Sequence, residues 1–170
     1  MKSLNKMKKL IYLFLILINL SSYGQEVFEY EFDENISLNI LEETEEGALS
    51  NGKFIKGTFE NEVFSCFSSD IIKLKTTDET YLLKLFQGFK EGTLKSTKGT
   101  LISEEIINIE NIKVAKSKIS FTLESKNKIV ESYILAYKNI IYTFQFMNDE
   151  EEFEKFNNFR KNIIDSIKFK

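Results

Sequence analysis

From Val27 onward the chain alternates. Phe28, Tyr30 and Phe32 fall on one side of an extended segment, and Val27, Glu29 and Glu31 on the other. A period of two marks a half-buried strand, because successive side chains leave opposite faces, and it predicts a strand over Val27–Phe32. Ile36–Leu41 repeats the pattern, with Ile36, Leu38 and Ile40 on one side. Glu42–Glu46 holds four glutamates in five residues and reads as a solvated loop or short turn. Asn51-Gly52 is a turn signal, since both residues tolerate positive φ. Strands are predicted over Lys53–Glu60 and Glu62–Ser68, hinged near Asn61, with a shorter one over Ile71–Lys75.

The period changes at Thr77. Leu82, Leu85, Phe86 and Phe89 recur at helical spacing, with Glu79, Lys84 and Lys90 on other sides, the stripe of an amphipathic helix. Thr77 or Asp78 supplies an N-cap, Gly88 costs the helix about 1 kcal/mol, and Gly92 lies near its end. The helix is predicted from Asp78 to Lys95, followed by a polar loop over Ser96–Gly99. Alternation returns in Leu101–Ile109, Ile112–Glu124, Ile129–Tyr137 and Ile140–Met147, with turns at Lys126-Asn127-Lys128 and Lys138-Asn139. Turns this short force antiparallel pairing.

The last predicted element is a helix of about 17 residues lying on the sheet, since Phe153, Phe156, Phe159, Ile163 and Ile167 share one helical face. Asn148 is placed to cap it, with Glu151 completing a capping-box pattern. Asp149 and Glu150–Glu152 put negative charge where the helix dipole is positive, and Lys161 lies near the other end. That accounts for the acidic cluster without a metal.

The aromatic strand Ile141–Phe146, the acid-capped helix with Phe every three residues, and the closing run Ser166-Ile167-Lys168-Phe169 together resemble the tail of the PsbP/Mog-like family, which includes the bacterial DcrB-like proteins. The resemblance spans roughly Leu82–Phe169 and is one of pattern. It departs at Val114-Ala115-Lys116, where many members carry a glycine. It implies an α/β/α sandwich around an antiparallel sheet. The fold class expected is therefore α+β: a single domain, mainly antiparallel β-sheet, covered by two amphipathic helices. The resemblance also implies an accessory or binding role, as in photosystem assembly or small-GTPase binding, and it carries no functional residue over to this chain.

Composition adds a compartment. Lys2, Lys6, Lys8 and Lys9 precede an uncharged, mostly apolar run, Leu10–Leu20. Spanning a bilayer takes about 20 residues, so this run is short for an anchor. A positive start, a short apolar run and the small residues Ser22 and Gly24 make a secretory signal peptide cleaved before Gln25; an uncleaved short anchor is the alternative. The expected organisation is residues 1–24 as signal peptide and 25–170 as a single secreted α+β domain, secreted or periplasmic, with no stable membrane insertion after cleavage. No Cys lies near the junction, which closes the lipoprotein route. Richness in Lys, Ile, Asn and Phe with no Pro fits an AT-rich bacterial genome.

Charge and missing residue types narrow the function. The chain carries −3; without the four lysines of the leader, 19 basic residues face 26 acidic ones, about −7. An acidic protein repels phosphate backbones, so nucleic acid is not expected as a partner. With no His and one Cys, a Ser-His-Asp triad, a Cys-His dyad, an intramolecular disulfide and most zinc sites are excluded. Cys66, flanked by Phe64 and Phe67, reads as a buried thiol. Neither a phosphate loop nor a calcium loop occurs, and no cofactor, metal or catalytic residue is expected. Asn35-Ile36-Ser37 fits the glycosylation sequon and reads as a chance match. Tyr133, Tyr137 and Tyr142 read as packing under a helix and not as a binding surface.

Three functions remain. The leading one is a non-catalytic secreted or periplasmic binding or accessory protein, whose partner is another envelope protein met through an acidic rim at Glu42, Glu43, Glu45 and Glu46. A small apolar-ligand carrier is the alternative, with the 16 phenylalanines as lining. The third is a carboxylate-only hydrolase, for which Glu42/Glu43, Glu45/Glu46 and Glu104/Glu105 are the available pairs. Neighbours on a strand point to opposite faces, which speaks against it.

Overall fold

The computed structural model describes residues 27–41, 43–70 and 79–170. The expected signal peptide and its cleavage site, the strand over Ile71–Lys75, the helix caps Thr77 and Asp78, and Glu42 of the acidic rim lie outside the described residues. The elements run β1 (Val27–Glu31), β2 (Ile36–Leu41), β3 (Thr44–Leu49), β4 (Gly52–Phe59), β5 (Glu62–Asp70), α1 (Glu79–Thr97), β6 (Thr100–Ile109), β7 (Ile112–Leu123), β8 (Lys126–Tyr137), β9 (Ile140–Asp149), a 3-10 turn (Phe153–Phe156), α2 (Asn157–Asp165) and β10 (Lys168–Phe169).

Seven antiparallel strands form the central sheet in the order β3-β4-β5-β9-β8-β7-β6. The predicted meander β6–β9 is present: after α1 the chain starts at the far edge and works inward until β9 pairs with β5, Phe144 opposite Cys66 and Phe146 opposite Phe64. A separate three-stranded sheet, β1-β2-β10, has β2 in its middle. It lies with α2 on one side of the central sheet. Ile36, Leu38 and Ile40 of β2 join Phe64, Cys66, Leu135, Tyr142, Phe144, Phe146, Ile163 and Ile164 in the main core. On the other side α1 sets Phe86 against Ile134, Ala136 and Ile141. The chain is thus one α+β domain of three layers. No helix among the described residues is long and apolar enough to cross a membrane.

Several expectations need correction. Thr44–Glu46 is part of strand β3, not a loop, because Thr44–Leu49 pairs residue for residue with β4. The hairpin loop after it is Ser50–Asn51, since Leu49 already pairs with Gly52, and no glycine among the described residues takes positive φ. Gly52 is needed for space instead: a Cβ there would lie 2.0 Å from the Ser68 carbonyl oxygen. The turn expected at Lys126–Lys128 sits at Glu124-Ser125, with φ of 50° and 66°, the doubly positive pair of a type I′ hairpin. Lys126–Lys128 are drawn into β8 between β7 and Asp149 of β9. Lys138-Asn139 turns the chain as expected, also with both φ positive. In β1, Val27 and Phe28 are exposed because the strand is the outer one of the small sheet; Phe32, just beyond it, is fully buried.

The C-terminal helix is shorter than its stripe suggests. Asn148 and Asp149 belong to β9, held by the pairing of Asp149 with Lys128 and by salt bridges from Lys126 and Lys128. Asn148 therefore caps nothing, and neither the 3-10 turn nor α2 has a side-chain cap. The apolar stripe itself faces inward: Phe153, Phe156, Ile163 and Ile167 are buried and Phe159 half-buried.

Candidate functional site

Alternation that brings apolar side chains to the α2 side also brings charges there. Glu62 shares a face with Phe64 and Cys66 of β5, and Glu131 shares one with Tyr133 and Leu135 of β8. Between them lies Arg160 of α2, the one arginine of the chain. Its guanidinium donates from Nη1 to Glu62 Oε1 (2.8 Å) and from Nη2 to the Phe153 carbonyl (2.7 Å) and the Asn157 carboxamide oxygen. It stacks on the Phe153 ring 3.7 Å from the centroid. Glu131 stands 3.9 Å from its Nε. Tyr133 Oη donates to Glu131 Oε1 at 2.6 Å, and Lys116 and Lys118 approach Oε2 at 3.9 and 3.7 Å. Lys116 continues to Glu105 and Lys118 to Glu154. A chain of alternating charge thus crosses the sheet from β6 to β5.

Burial sets the titration of this network. It pushes the Glu62 carboxyl above the ordinary carboxylate range, against the pull of Arg160 and Asn148 and with help from the Glu131 charge. It also raises the Tyr133 hydroxyl, which Glu131 holds in its protonated form. Glu154, at the surface, is lowered by Asn157 and Lys118. A raised carboxyl is what a general acid needs, yet Glu62 and Arg160 are 0% and 1% exposed, and no substrate reaches them. The network is a structural clamp that ties α2 to β5 and β8. Its sequence signals were a charge on an otherwise apolar strand face and a lone Arg, the side chain suited to buried ion pairs.

Candidate residues read from the sequence are dispersed. Glu45 and Glu46 are exposed on β3 at one edge of the central sheet, and Glu43, also exposed, immediately precedes it. Glu45 lies opposite Lys56, and Glu46 accepts from the Tyr30 hydroxyl, whose pKa is pushed up to about 12 by burial and by that carboxylate. Glu104 pairs with Lys90 of α1 and Glu105 with Lys116 of β7, so the two go to different sides of β6. None of the described carboxylate pairs converges on a common point. Among the described residues no group of three or more His, Cys, Asp or Glu is placed to hold a metal. Cys66 is buried and its thiol raised, by burial first and by the Asp33 charge second. Tyr133 and Tyr142 pack in the core; Tyr142 donates to Asp33 Oδ2 at 2.8 Å, while Asp33 Oδ1 caps the backbone N–H groups of Asn35 and Ile36. Asn35 is buried and is not presented as a glycosylation acceptor.

Apolar grooves open beside each helix. One, of about 380 Å³, runs between α1 and the β6 edge, with Leu83 and Phe86 facing Ile106, Ala115 and Ile134 and with Lys90, Glu104, Glu105 and Lys116 at its rim. The other, of about 400 Å³, lies where β1 and β2 meet α2, lined by Val27, Ile40, Leu41, Phe159 and Ile163. Both arise because each helix covers only part of the sheet beneath it. Sequence reading found neither, since a groove depends on where a helix stops.

No family model matches the chain and no curated protein matches it in sequence. In fold it is similar to cyanobacterial PsbP (CyanoP) from Synechocystis, with a TM-score of 0.64 at 11% identity over 86% of this chain and 94% of that one. It is similar to the Ran-binding protein Mog1p of Saccharomyces cerevisiae, with a TM-score of 0.55 at 10% identity over 85% of this chain and 96% of that one. It also resembles a protein of Bacteroides thetaiotaomicron, with a TM-score of 0.51 at 15% identity over 79% of this chain and 45% of that one. Identities this low speak of the backbone course alone, and on that ground the chain has the PsbP/Mog-like fold.

Proposed function

We propose that the protein is a non-catalytic binding or accessory protein of the bacterial cell envelope, exported by residues 1–24 and working as the single domain 25–170. The observation that carries this reading is a division of labour among charged groups. The carboxyl with a raised pKa, Glu62, is sealed in the core with Arg160, whereas the exposed features are strand edges and shallow grooves, which suit contact with another macromolecule and not bond chemistry. A neighbour in fold, Mog1p, is a Ran-binding protein, so this backbone is compatible with protein partners. Glu43, Glu45 and Glu46, with Glu42 next to them in sequence, supply an acidic rim that favours a basic partner and fast, salt-sensitive association. The test is retention of envelope proteins on the immobilised mature protein at low and high salt, beside the variant E43K/E45K/E46K. Salt-sensitive retention lost in the variant is expected; retention indifferent to both salt and variant would overturn the rim.

The groove between β1, β2 and α2 supports the second reading, a carrier of small apolar ligands, since about 400 Å³ lined by Ile40, Leu41, Phe159 and Ile163 falls in the range of ligand pockets. Native mass spectrometry of protein purified from its host separates the two, a ligand-bearing mass favouring the carrier.

A further inference from the structure

The central sheet ends in two unlike edges. An edge strand offers a row of unpaired N–H and C=O groups, and proteins blunt it with short length, charge, glycine or bulges. β3 is blunted. It has six residues, with no valine or isoleucine along it. β6 is ten residues long, and among the described residues its one strand neighbour is β7. Its irregularity, between Leu101 and Ser103, lies near one end, so Glu104–Ile109 runs as a regular edge. Ile102 and Ile106 are 50% and 48% exposed, and the α1 groove opens directly beside Ile106.

The charges on this edge select the occupant. Lys90 and Lys116 each bind one oxygen of Glu104 and Glu105 but lie beneath them, with side-chain exposures of 13% and 28% against 54% and 57% for the glutamates. What β6 turns outward is therefore negative at its centre and apolar on either side. A second copy of this chain fits poorly, because two β6 strands paired antiparallel about their centres would set four glutamates against each other, and like charges directly opposite are destabilising.

We infer that β6 is a docking edge for an extended segment of a partner protein that carries two adjacent basic residues between β-branched apolar ones. This rests on the reading of the protein as a binding module and names where and what it binds. The segment adds a strand antiparallel to β6, its main chain satisfying the free edge. Because an antiparallel segment counts backwards along β6, its first basic side chain meets Glu105 on the α2 side and the next meets Glu104 on the α1 side, neighbours along a strand alternating faces. The apolar side chain just before the basic pair falls opposite Ile106, on the Glu104 side, in the groove that Leu83 also lines.

The probe is an acetylated, amidated peptide Thr-Thr-Val-Lys-Arg-Val-Thr-Val, measured by fluorescence anisotropy against the mature protein, with amide exchange locating it. Slowed exchange over Thr100–Ile109 is expected. Replacing Lys-Arg by Glu-Glu in the peptide should weaken binding by about tenfold, from two cross-strand pairs turned from attraction to repulsion. Methylating alternate peptide nitrogens should weaken it about tenfold or more by removing main-chain donors. The variant E104K/E105K should prefer the Glu-Glu peptide, and I106K should bind neither. Equal binding of the charge-swapped or methylated peptide, protection over Thr44–Leu49 instead, absence of binding, or a concentration-dependent dimer abolished by I106K would each overturn the inference. If I106K retains the same envelope proteins as the native chain, the β6 edge is wrong and the binding-module reading stands; if neither retains any, that reading fails with it.

Discussion

The two faces of the seven-stranded sheet are built on different plans. The face under α2 is sealed by a second layer of helix and small sheet. Its aromatic rings interlock, Phe146 against Phe64, Tyr133 and Phe159 at centroid distances of 5.2–6.3 Å, and its charges are closed into the Arg160 clamp. The face under α1 carries one helix, with Phe86 the one buried helical side chain among the described residues and Leu83 exposed beside it. A sealed face supplies the larger share of this three-layer protein's stability and leaves open the groove at its β1–β2–α2 margin. An incompletely covered face contributes less and leaves a groove at its margin. The larger share of the burial thus lies on one face of the sheet, and the groove beside the β6 edge lies on the other.

The sharpest way to break this comparison is to empty the sealed face. Phe146→Ala should cost about 3–5 kcal/mol, as truncation of a fully buried ring does when its neighbours cannot collapse. Arg160→Met should cost a similar amount, about 3–5 kcal/mol, because it leaves Glu62 buried without its cation and takes from Glu131 one of the cations around it. Adding Glu62→Gln to Arg160→Met should recover part of that loss. Urea unfolding followed by circular dichroism measures all three. An Arg160→Met variant as stable as the native chain would mean that the clamp is not closed in solution. On the open face Phe86→Ala should cost about 2 kcal/mol, the lower figure reflecting one ring's burial with less cavity left behind. If Phe86→Ala costs as much as Phe146→Ala, the two faces are equivalent and the comparison falls.

Much of the sheet was legible in the sequence because strand alternation is local: β2 and β4–β9 follow directly from which residues share a side. α1 was legible for the same reason, through Leu82, Leu85, Phe86 and Phe89. What was hidden depends on partners distant in sequence. Asn148 has the chemistry of a helix cap, and only the Lys128–Asp149 pairing between β8 and β9 shows that it is strand instead. Glu45 and Glu46 look like loop residues until Lys56 and Ile55 are found opposite them. The clamp joins Glu62 to Arg160 across 98 positions, a separation no local pattern encodes, although a glutamate on an apolar strand face was a visible anomaly.

The clamp also gives the sealed face a pH dependence of definite sign. Because burial holds the Glu62 carboxyl above its ordinary range, the folded state keeps that proton after the unfolded chain has released it. Protons bound by the native state then exceed those bound by the unfolded state, so this group's contribution falls as pH rises from the ordinary carboxylate value toward the raised one. Glu62→Gln removes the proton. The stability of the native chain relative to Glu62→Gln should therefore decline as pH increases through that window and level off above it. Paired unfolding curves from pH 4 to pH 8 test this; a difference that grows in favour of the native chain with rising pH would mean that Arg160 outweighs burial at Glu62.

The smallest expected effect probes the open face from outside. Gly88 lies within α1 on its solvent side, its φ is not positive, and a Cβ added there meets nothing within 4 Å. Glycine inside a helix is destabilising relative to alanine by roughly 0.5–1 kcal/mol, because it has more backbone freedom to lose. Gly88→Ala should therefore stabilise the protein by about that amount and raise Tm by about 1–4 °C for a domain of this size. The same reasoning holds at Gly92, where a Cβ also meets nothing, and two sites a turn apart on an exposed face should add. Gly52→Ala is the internal control: its Cβ would run into the Ser68 carbonyl, and it should destabilise the β4–β5 pairing. If Gly88→Ala left stability unchanged but weakened retention of a partner, the outer side of α1 would be a contact surface, and the open face would extend over the helix as well as beside it.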